Sequence, residues 1–310
     1  MPDVSSFRSF LGISLPDTPV EMGCYALTEG LDEQAHPFSP EALFGPDALL
    51  GPVMPAVGDA AAFFRVPAPV YLCDEVSSTF AVAHTLAQKG VLPAWGAVLA
   101  ASQTAGRGQF RRHWQSPRGN LYVTFRLPDT PVFQSDAAAL VIGVLLAAAF
   151  SRLGCPVRLK WPNDLLNPEA GKAAGILVEN RDGVMLAGVG VNLRILPEAE
   201  QLRRERATPA GLLLTGDKTP ISQAPFSLWQ ALVNEMIFAY SQSFAQSATK
   251  MLPELADPFL AWKGEAVSVT DTDGATLSGR LSGVSPNGGL LLQAFDGKTH
   301  EIFSGSLART

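Results

Sequence analysis

The chain is poor in the residues that most often carry redox or metal chemistry, with three cysteines and four histidines in 310 residues. Cys24, Cys73 and Cys155 have no paired spacing. That excludes a disulfide framework and a cysteine zinc site, and it predicts buried thiols of a reducing compartment. His36, His84, His113 and His300 show no metal-ligand spacing, and no Ser-His-Asp or Cys-His arrangement is legible. Long apolar runs are also missing. The longest, Ala137 to Phe150, has 14 residues, short of the roughly 18 that a membrane-spanning helix needs, so it is expected to be a core helix. No charged start followed by an apolar stretch marks the N-terminus, so no secretory leader is expected and a cytoplasmic location is. Basic residues are outnumbered 23 to 29, for a net charge of −6, which argues against a general nucleic-acid binder. The GxG at Gly188 and Gly190 is not completed to GxGxxG and no helix follows it, so a Rossmann reading is rejected. No internal repeat is present.

Three blocks carry the chemistry. In Gln103 to Trp114, QTAGRGQFRRHW, Gly106 and Gly108 flank Arg107, and Arg111 and Arg112 follow closely. A glycine loop with guanidinium forks can present N–H donors to a phosphate or carboxylate; a solvated basic turn is the competing reading. In Lys160 to Asp164, KWPND, the apolar alternation of Val157 to Trp161 predicts a strand that Pro162 stops. Asn163 and Asp164 at its exit either bond the backbone locally or hold a metal-bound phosphate, since Mg²⁺ favours one or two carboxylates plus phosphate oxygens. Trp161 is expected in the core. In Lys172 to Glu179, KAAGILVE, Ile176 to Val178 predicts a buried strand. Lys172 at its mouth is a candidate for neutralising charge at a reacting α-phosphate, as an electrostatic group and not a nucleophile. A second apolar strand runs through Gly188 to Asn192, and a turn at Arg181 to Gly183 allows the two to pair as a hairpin.

These blocks, taken in order, resemble those of biotin–protein ligases over roughly Val70 to the C-terminus. Ser78-Thr79 is similar to the family's Ser-Thr near the biotin ureido ring. Gln103 to Gly108 resembles its biotin and adenylate loop. KWPND matches letter for letter, Lys172 to Glu179 resembles the segment whose Lys contacts the biotin carboxylate and α-phosphate, and Gly188 to Asn192 completes the set. The resemblance implies ATP·Mg²⁺-dependent formation of biotinyl-5′-adenylate, followed by acylation of a lysine on a biotin carboxyl carrier protein. It implies catalytic roles for Lys172 and Arg107, and biotin contacts from Ser78, Thr79, Gln103, Gly106, Arg107, Lys172 and Gly175. Nucleotide contacts would come from Gly108, Arg111, Arg112, Trp114, Asn163 and Asn192, with Asp164 on the metal. Three positions depart from the family pattern: Gln109 where a basic residue is frequent, Arg111 where Gly is, and Phe80 where Asn is. Loss of the basic residue at 109 predicts faster leakage of the adenylate, with Arg111 as a compensating charge. A lipoate or octanoate ligase or transferase of the same superfamily, and a non-catalytic biotin or adenylate sensor, stand as alternatives.

The chain reads as three parts. Residues 1–69 hold ten of the 24 prolines and two basic against nine acidic residues. Prolines break helices and the charge has the wrong sign for phosphate, so the winged helix-turn-helix repressor module of some ligases is not expected, nor is DNA as a partner. Residues 70–262 are expected to form the catalytic domain, α+β with a mixed sheet and packed helices. The resemblance implies the class II synthetase-like biotin/lipoate ligase fold. Helices are predicted over Thr79 to Gln88, Ser135 to Leu153 and Ser227 to Phe244, the last with a core stripe at Leu228, Leu232, Met236 and Tyr240. Strands are predicted over Val70 to Val76 and Leu121 to Leu127. In residues 263–310 strands are predicted over Ala266 to Thr270, Thr276 to Val284, Gly289 to Ala294 and His300 to Phe303. Asp273-Gly274, Asn287-Gly288 and Asp296-Gly297 between them favour tight hairpins. That is a small β-barrel, similar to the family's SH3-like C-terminal domain; a purely stabilising appendage is the other reading. The resemblance also places Arg309 near the nucleotide. Monomer and homodimer are both open.

Overall fold

The computed structural model describes residues 49–53, 68–109, 112–197, 208–245, 249–271 and 273–310. Most of the acidic N-terminal segment and Arg111 lie outside the described residues. The rest divides into two compact units, each assembled from separated stretches of chain.

The first unit takes the described residues up to Pro128, with Glu179–Gly190 and Ser222–Asn234. Its strands are β1 (Leu49–Val53), β2 (Val70–Val76), β3 (Ala97–Gln103), β4 (Leu121–Arg126) and, from the later stretch, β8 (Val184–Val191), adjacent in that order. β2 and β3 are parallel, while β1–β2 and β3–β4 are antiparallel. The sheet is therefore mixed, as expected. β3, AVLAASQ, is buried from Ala97 to Ser102. A strand covered on both faces reads as a continuous small-apolar run and not as an alternation.

Helix α1 (Thr79–Gln88) is the crossover from β2 to the parallel β3. Ser78 is its N-cap, extended in backbone, with Oγ accepting from the Phe80 N–H at 3.3 Å; this satisfies one of the four N–H groups a helix start leaves open. Gly90, at φ +75°, ends the run where a left-handed residue is needed. Phe80 is buried against β8. A Cβ on Gly188 would stand 2.3 Å from its ring, and the Arg181 guanidinium lies 5.6 Å from the ring centroid. At the β8 hairpin turn both Asp182 and Gly183 have positive φ, the conformation whose twist matches that of the flanking strands.

The second unit takes Asp129–Val178, Val191–Ile221 and the described residues from Glu235 to Thr310. Strands β5 (Arg158–Lys160), β6 (Asp164–Leu166) and β7 (Lys172–Arg181) pair in the order β7-β6-β5, antiparallel. Helix α2 (Ala138–Arg152) is apolar all round and almost wholly buried, as a helix at the centre of a core must be. It lies close on these strands because Gly143 has no side chain: a Cβ there would meet Leu159 Cδ1 at 2.6 Å. Helix α3 (Pro225–Ser243) crosses from one unit's residues to the other's. Leu228, Leu232 and Met236 of its predicted stripe are fully buried, and Tyr240 stacks on Phe133. Helix α4 (Leu252–Ala256) precedes the tail.

The tail is a separate antiparallel sheet of β9 (Ala266–Thr270), β10 (Thr276–Val284), β11 (Leu290–Ala294), β12 (Thr299–Ile302) and β13 (Ser306–Arg309), in the order β12-β11-β10-β9-β13. Its three hairpins close by one scheme. The N–H of Gly274, Gly288 and Gly297 reaches back to the carbonyl of Asp271, Ser285 and Ala294, and each glycine is left-handed. That is a turn closed by a left-handed residue with a bulge, so the Asp-Gly and Asn-Gly pairs use their glycine alone in the left-handed region.

Candidate active site

In the first unit, the ends of β2 and β3 and the start of α1 build a polar cluster. The Gln103 side chain takes two donors from Thr79 at Oε1, the backbone N–H at 2.9 Å and the hydroxyl at 3.1 Å. Its Nε2 donates to Ser116 Oγ at 2.8 Å, and Ser116 Oγ donates to the Trp114 carbonyl at 3.0 Å. Thr124, fully buried on β4, meets the Thr79 hydroxyl at 2.8 Å. Ser78 and Thr79 are buried, positioned by the N-cap geometry that starts α1.

The basic loop folds back on itself across this cluster. Its N-terminal end is pinned by Thr104 N–H to Val76 O and Ala105 N–H to Ser77 O. Its arms are pinned by Trp114 N–H to Gly106 O and Gly108 N–H to Arg112 O. Arg107 and His113 pair across it, both exposed. Two glycines make the closeness possible. A Cβ on Gly106 would stand 2.3 Å from the Trp114 carbonyl and 2.6 Å from Ser116 Oγ. One on Gly190 would stand 2.5 Å from the Trp114 indole. Trp114 thus rests on β8, half-buried. Exposed guanidiniums on a loop with a fixed stem are suited to an oxyanion ligand.

In the second unit the second and third sequence blocks meet through paired strands: in the register of β6 and β7, Asp164 faces Gly175. Lys172 Nζ lies 2.6 Å from Asp164 Oδ1, and Lys160 Nζ lies 3.8 Å from Oδ2. Lys160 is buried, donates to Thr208 Oγ1 at 2.8 Å and lies 5.7 Å from the Trp262 ring centroid. Two ammoniums against one carboxylate leave this cluster cationic. Burying a charge is costly unless it is paired, and each of these is. Asn163 donates to the Ile176 carbonyl at 2.6 Å. Asn192 donates to the carbonyls of Lys172 and Gly211, each at 3.2 Å. Both amide nitrogens therefore hold the frame from which Lys172 projects. Trp161 is buried, as expected for a core residue, and its indole N–H donates to the Gly288 carbonyl at 3.0 Å. Arg309 pairs with Glu265 at 2.6 Å.

As for a metal, no group of three or more His, Cys, Asp or Glu able to hold an ion occurs among the described residues. With both carboxylate oxygens of Asp164 facing lysines, the described residues do not build a closed metal site. Asp164 fits only as one oxygen ligand of an ion that arrives on a phosphate.

Sequence reasoning singled out Ser78, Thr79, Gln103, Gly106, Arg107, Gly108, Arg112 and Trp114, which the fold gathers in the first unit. It also singled out Asn163, Asp164, Lys172, Gly175 and Asn192, gathered in the second. It gave no role to Ser116, Thr124, Lys160, Thr208 or Trp262. Lys160 stood in plain view within KWPND; the others had no signal in spacing or composition.

Comparison with known proteins bears on the family of the chain. The profile of the "Biotin/lipoate A/B protein ligase family" matches residues 75–195. The biotin–[acetyl-CoA-carboxylase] ligase of Paracoccus denitrificans is 31% identical over 236 residues, 68% of this chain and 90% of that one. The bifunctional ligase/repressor BirA of Bacillus spizizenii is 26% identical over 235 residues, 72% of this chain and 69% of that one. Among solved structures, the biotin protein ligase from Aquifex aeolicus in complex with biotin and ATP superposes with a TM-score of 0.60 at 27% identity, covering 78% of this chain and 99% of that one. A relative this similar, aligned over nine-tenths of its length, joins the motifs and the mixed sheet in one conclusion: the chain belongs to the biotin–protein ligase family.

Proposed function

We infer that this protein catalyses ATP-dependent biotinylation of a lysine on a biotin carboxyl carrier protein, through biotinyl-5′-adenylate. In the first step a biotin carboxylate oxygen attacks the α-phosphorus of ATP, the bond to the β-phosphate oxygen breaks, and pyrophosphate leaves. In the second, the neutral ε-amine of the carrier lysine attacks the acyl carbon of the mixed anhydride, the amide forms and AMP leaves. The observation that carries the reading is Lys172, held by Asp164 at 2.6 Å in a cluster with cationic excess, within a chain aligned over most of a biotin–[acetyl-CoA-carboxylase] ligase.

We assign Lys172 and Arg107 to charge stabilisation in these steps, since preorganised cations act on charge that builds in the transition state. Ser78, Thr79, Gln103, Gly106 and Gly175 are assigned to biotin with them. Gly108, Arg112, Trp114, Asn163 and Asn192 are assigned to the nucleotide, and Arg111, outside the described residues, is kept with that group. Mg²⁺, arriving with ATP, would neutralise phosphate charge, with Asp164 as its protein ligand. We take residues 70–262 as the catalytic part and 263–310 as the appended sheet. No nucleic acid enters this reading.

The test is pyrophosphate release and carrier labelling with biotin, and with lipoate in parallel, because the matching family profile embraces both acids. Biotin-dependent release is expected, and Lys172→Ala or Arg107→Ala should lower kcat/KM by about a hundredfold or more. Activity with lipoate alone would move the assignment to the lipoate branch. Tight biotin binding without turnover would make the protein a sensor.

A further inference from the structure

The polar cluster around Gln103 has a property that no motif shows: the direction of every hydrogen bond in it is forced. The Thr79 backbone N–H can only donate, so the Gln103 atom facing it at 2.9 Å is Oε1. The Thr79 hydroxyl, 3.1 Å from that same acceptor-only oxygen, donates to it as well. Its proton is thereby committed, so in the 2.8 Å contact with Thr124 it is Thr124 that donates. At the other end the Trp114 carbonyl can only accept, so Ser116 Oγ spends its proton there, at 3.0 Å, and accepts from Gln103 Nε2 at 2.8 Å. The chain runs Thr124, Thr79, Gln103, Ser116, Trp114 carbonyl, with no link reversible. Both lone pairs of Gln103 Oε1 are filled, and one of its two Nε2 protons is used.

We propose that Ser116 and Thr124 are positioning residues that fix the Gln103 carboxamide in one orientation, so that this side chain meets the bound acid as a hydrogen-bond donor only. The ligand atom it recognises is then an acceptor, such as a urea or carboxylate oxygen, and never an N–H. This rests on the biotin reading and sharpens it into a rule of specificity. Ser116 is a suitable lock because it is buried, and because Gly106 brings the loop stem so close that a Cβ there would stand 2.6 Å from Ser116 Oγ.

The test is binding calorimetry on the full chain with biotin and with 2-iminobiotin, whose protonated guanidinium replaces the urea oxygen by a donor. Pyrophosphate release with varied ATP is measured beside it. Ser116→Ala and Thr124→Val should each weaken biotin binding about fivefold to tenfold, the worth of one net hydrogen bond, and Ser116→Thr should restore it. The KM for ATP should move by less than about twofold, since the loss is confined to binding of the acid. Gln103→Glu puts an acceptor where the donor stood, so the preference for biotin over 2-iminobiotin should fall about tenfold or more. Unchanged biotin affinity in both Ser116→Ala and Thr124→Val, an equal rise in the KM for ATP, or an unaltered preference in Gln103→Glu would overturn the proposal. Should Ser116→Ala fail to fold, Thr124→Val and Gln103→Glu still decide it. Absence of biotin-dependent pyrophosphate release by the unaltered protein would instead sink the ligase reading, while the calorimetry would still read this one.

Discussion

Gly106 shows how much of the site rests on a missing side chain. Its φ is not left-handed; what it supplies is room. Gly106→Ala forces the Trp114 carbonyl and Ser116 Oγ away from positions 2.3 and 2.6 Å from the new methyl. The neighbours must yield by about 1 Å, and a misplacement of that size costs about a hundredfold in rate, so biotin-dependent kcat/KM for pyrophosphate release should fall accordingly, with the melting temperature reporting any wider damage. Gln109 is a second residue whose effect is specific. Gln109→Arg restores a basic group to the loop, and a slower release of adenylate, followed by rapid gel filtration after one turnover, is expected; an unchanged rate would remove position 109 from the account of retention. Among the thiols, Cys73 and Cys155 are fully buried, and burial pushes the Cys155 thiol pKa up. Both should resist alkylation in the native state and react once unfolded, because the thiolate is the nucleophile and needs access. Mass spectrometry of labelled peptides checks this.

At the scale of elements, the sequence was most legible in its longer helices and in strands flanked by turn residues. Thr79 to Gln88 and Val70 to Val76 are as expected, and the helix expected over Ser135 to Leu153 is Ala138–Arg152, its ends trimmed. Helix ends fray and carry little pattern, so such differences are usual. The strand expected over Val157 to Trp161 contracts to Arg158–Lys160, because Trp161 turns into the core to bond Gly288. β1, β3, β6 and β13 went unseen. β6 and β13 have three and four residues, too few for a period-two signal, and β3 is buried along nearly its whole length and shows no alternation. The hairpin glycines of the tail were visible; their packing was not. Gly288 combines φ +85° with a would-be Cβ 2.8 Å from Ala137 Cα. Gly288→Ala should lower unfolding free energy by about 1–3 kcal/mol, read as a shifted urea midpoint. A neutral result would mean the turn adapts and that its contact with Trp161 is dispensable.

At the scale of the molecule, each compact unit draws on separated stretches of chain, an arrangement that slows folding because distant contacts must form first. No helix among the described residues is long and apolar enough to cross a membrane, which agrees with Ala137 to Phe150 as core. The segment before residue 68 keeps only what its composition says, apart from β1. Residue order alone determined the family, the mixed α+β class and the C-terminal hairpin sheet, because glycine loops, breakers and contiguous motifs are local features that survive without a fold. Only the tertiary structure decided that Lys160 and Lys172 share Asp164, that Asn163 and Asn192 brace the frame, and that Thr124 and Ser116 orient Gln103. Those partnerships span up to 45 positions. Hydrogen bonds and ion pairs depend on distances of a few ångströms in space, which spacing along the chain does not encode.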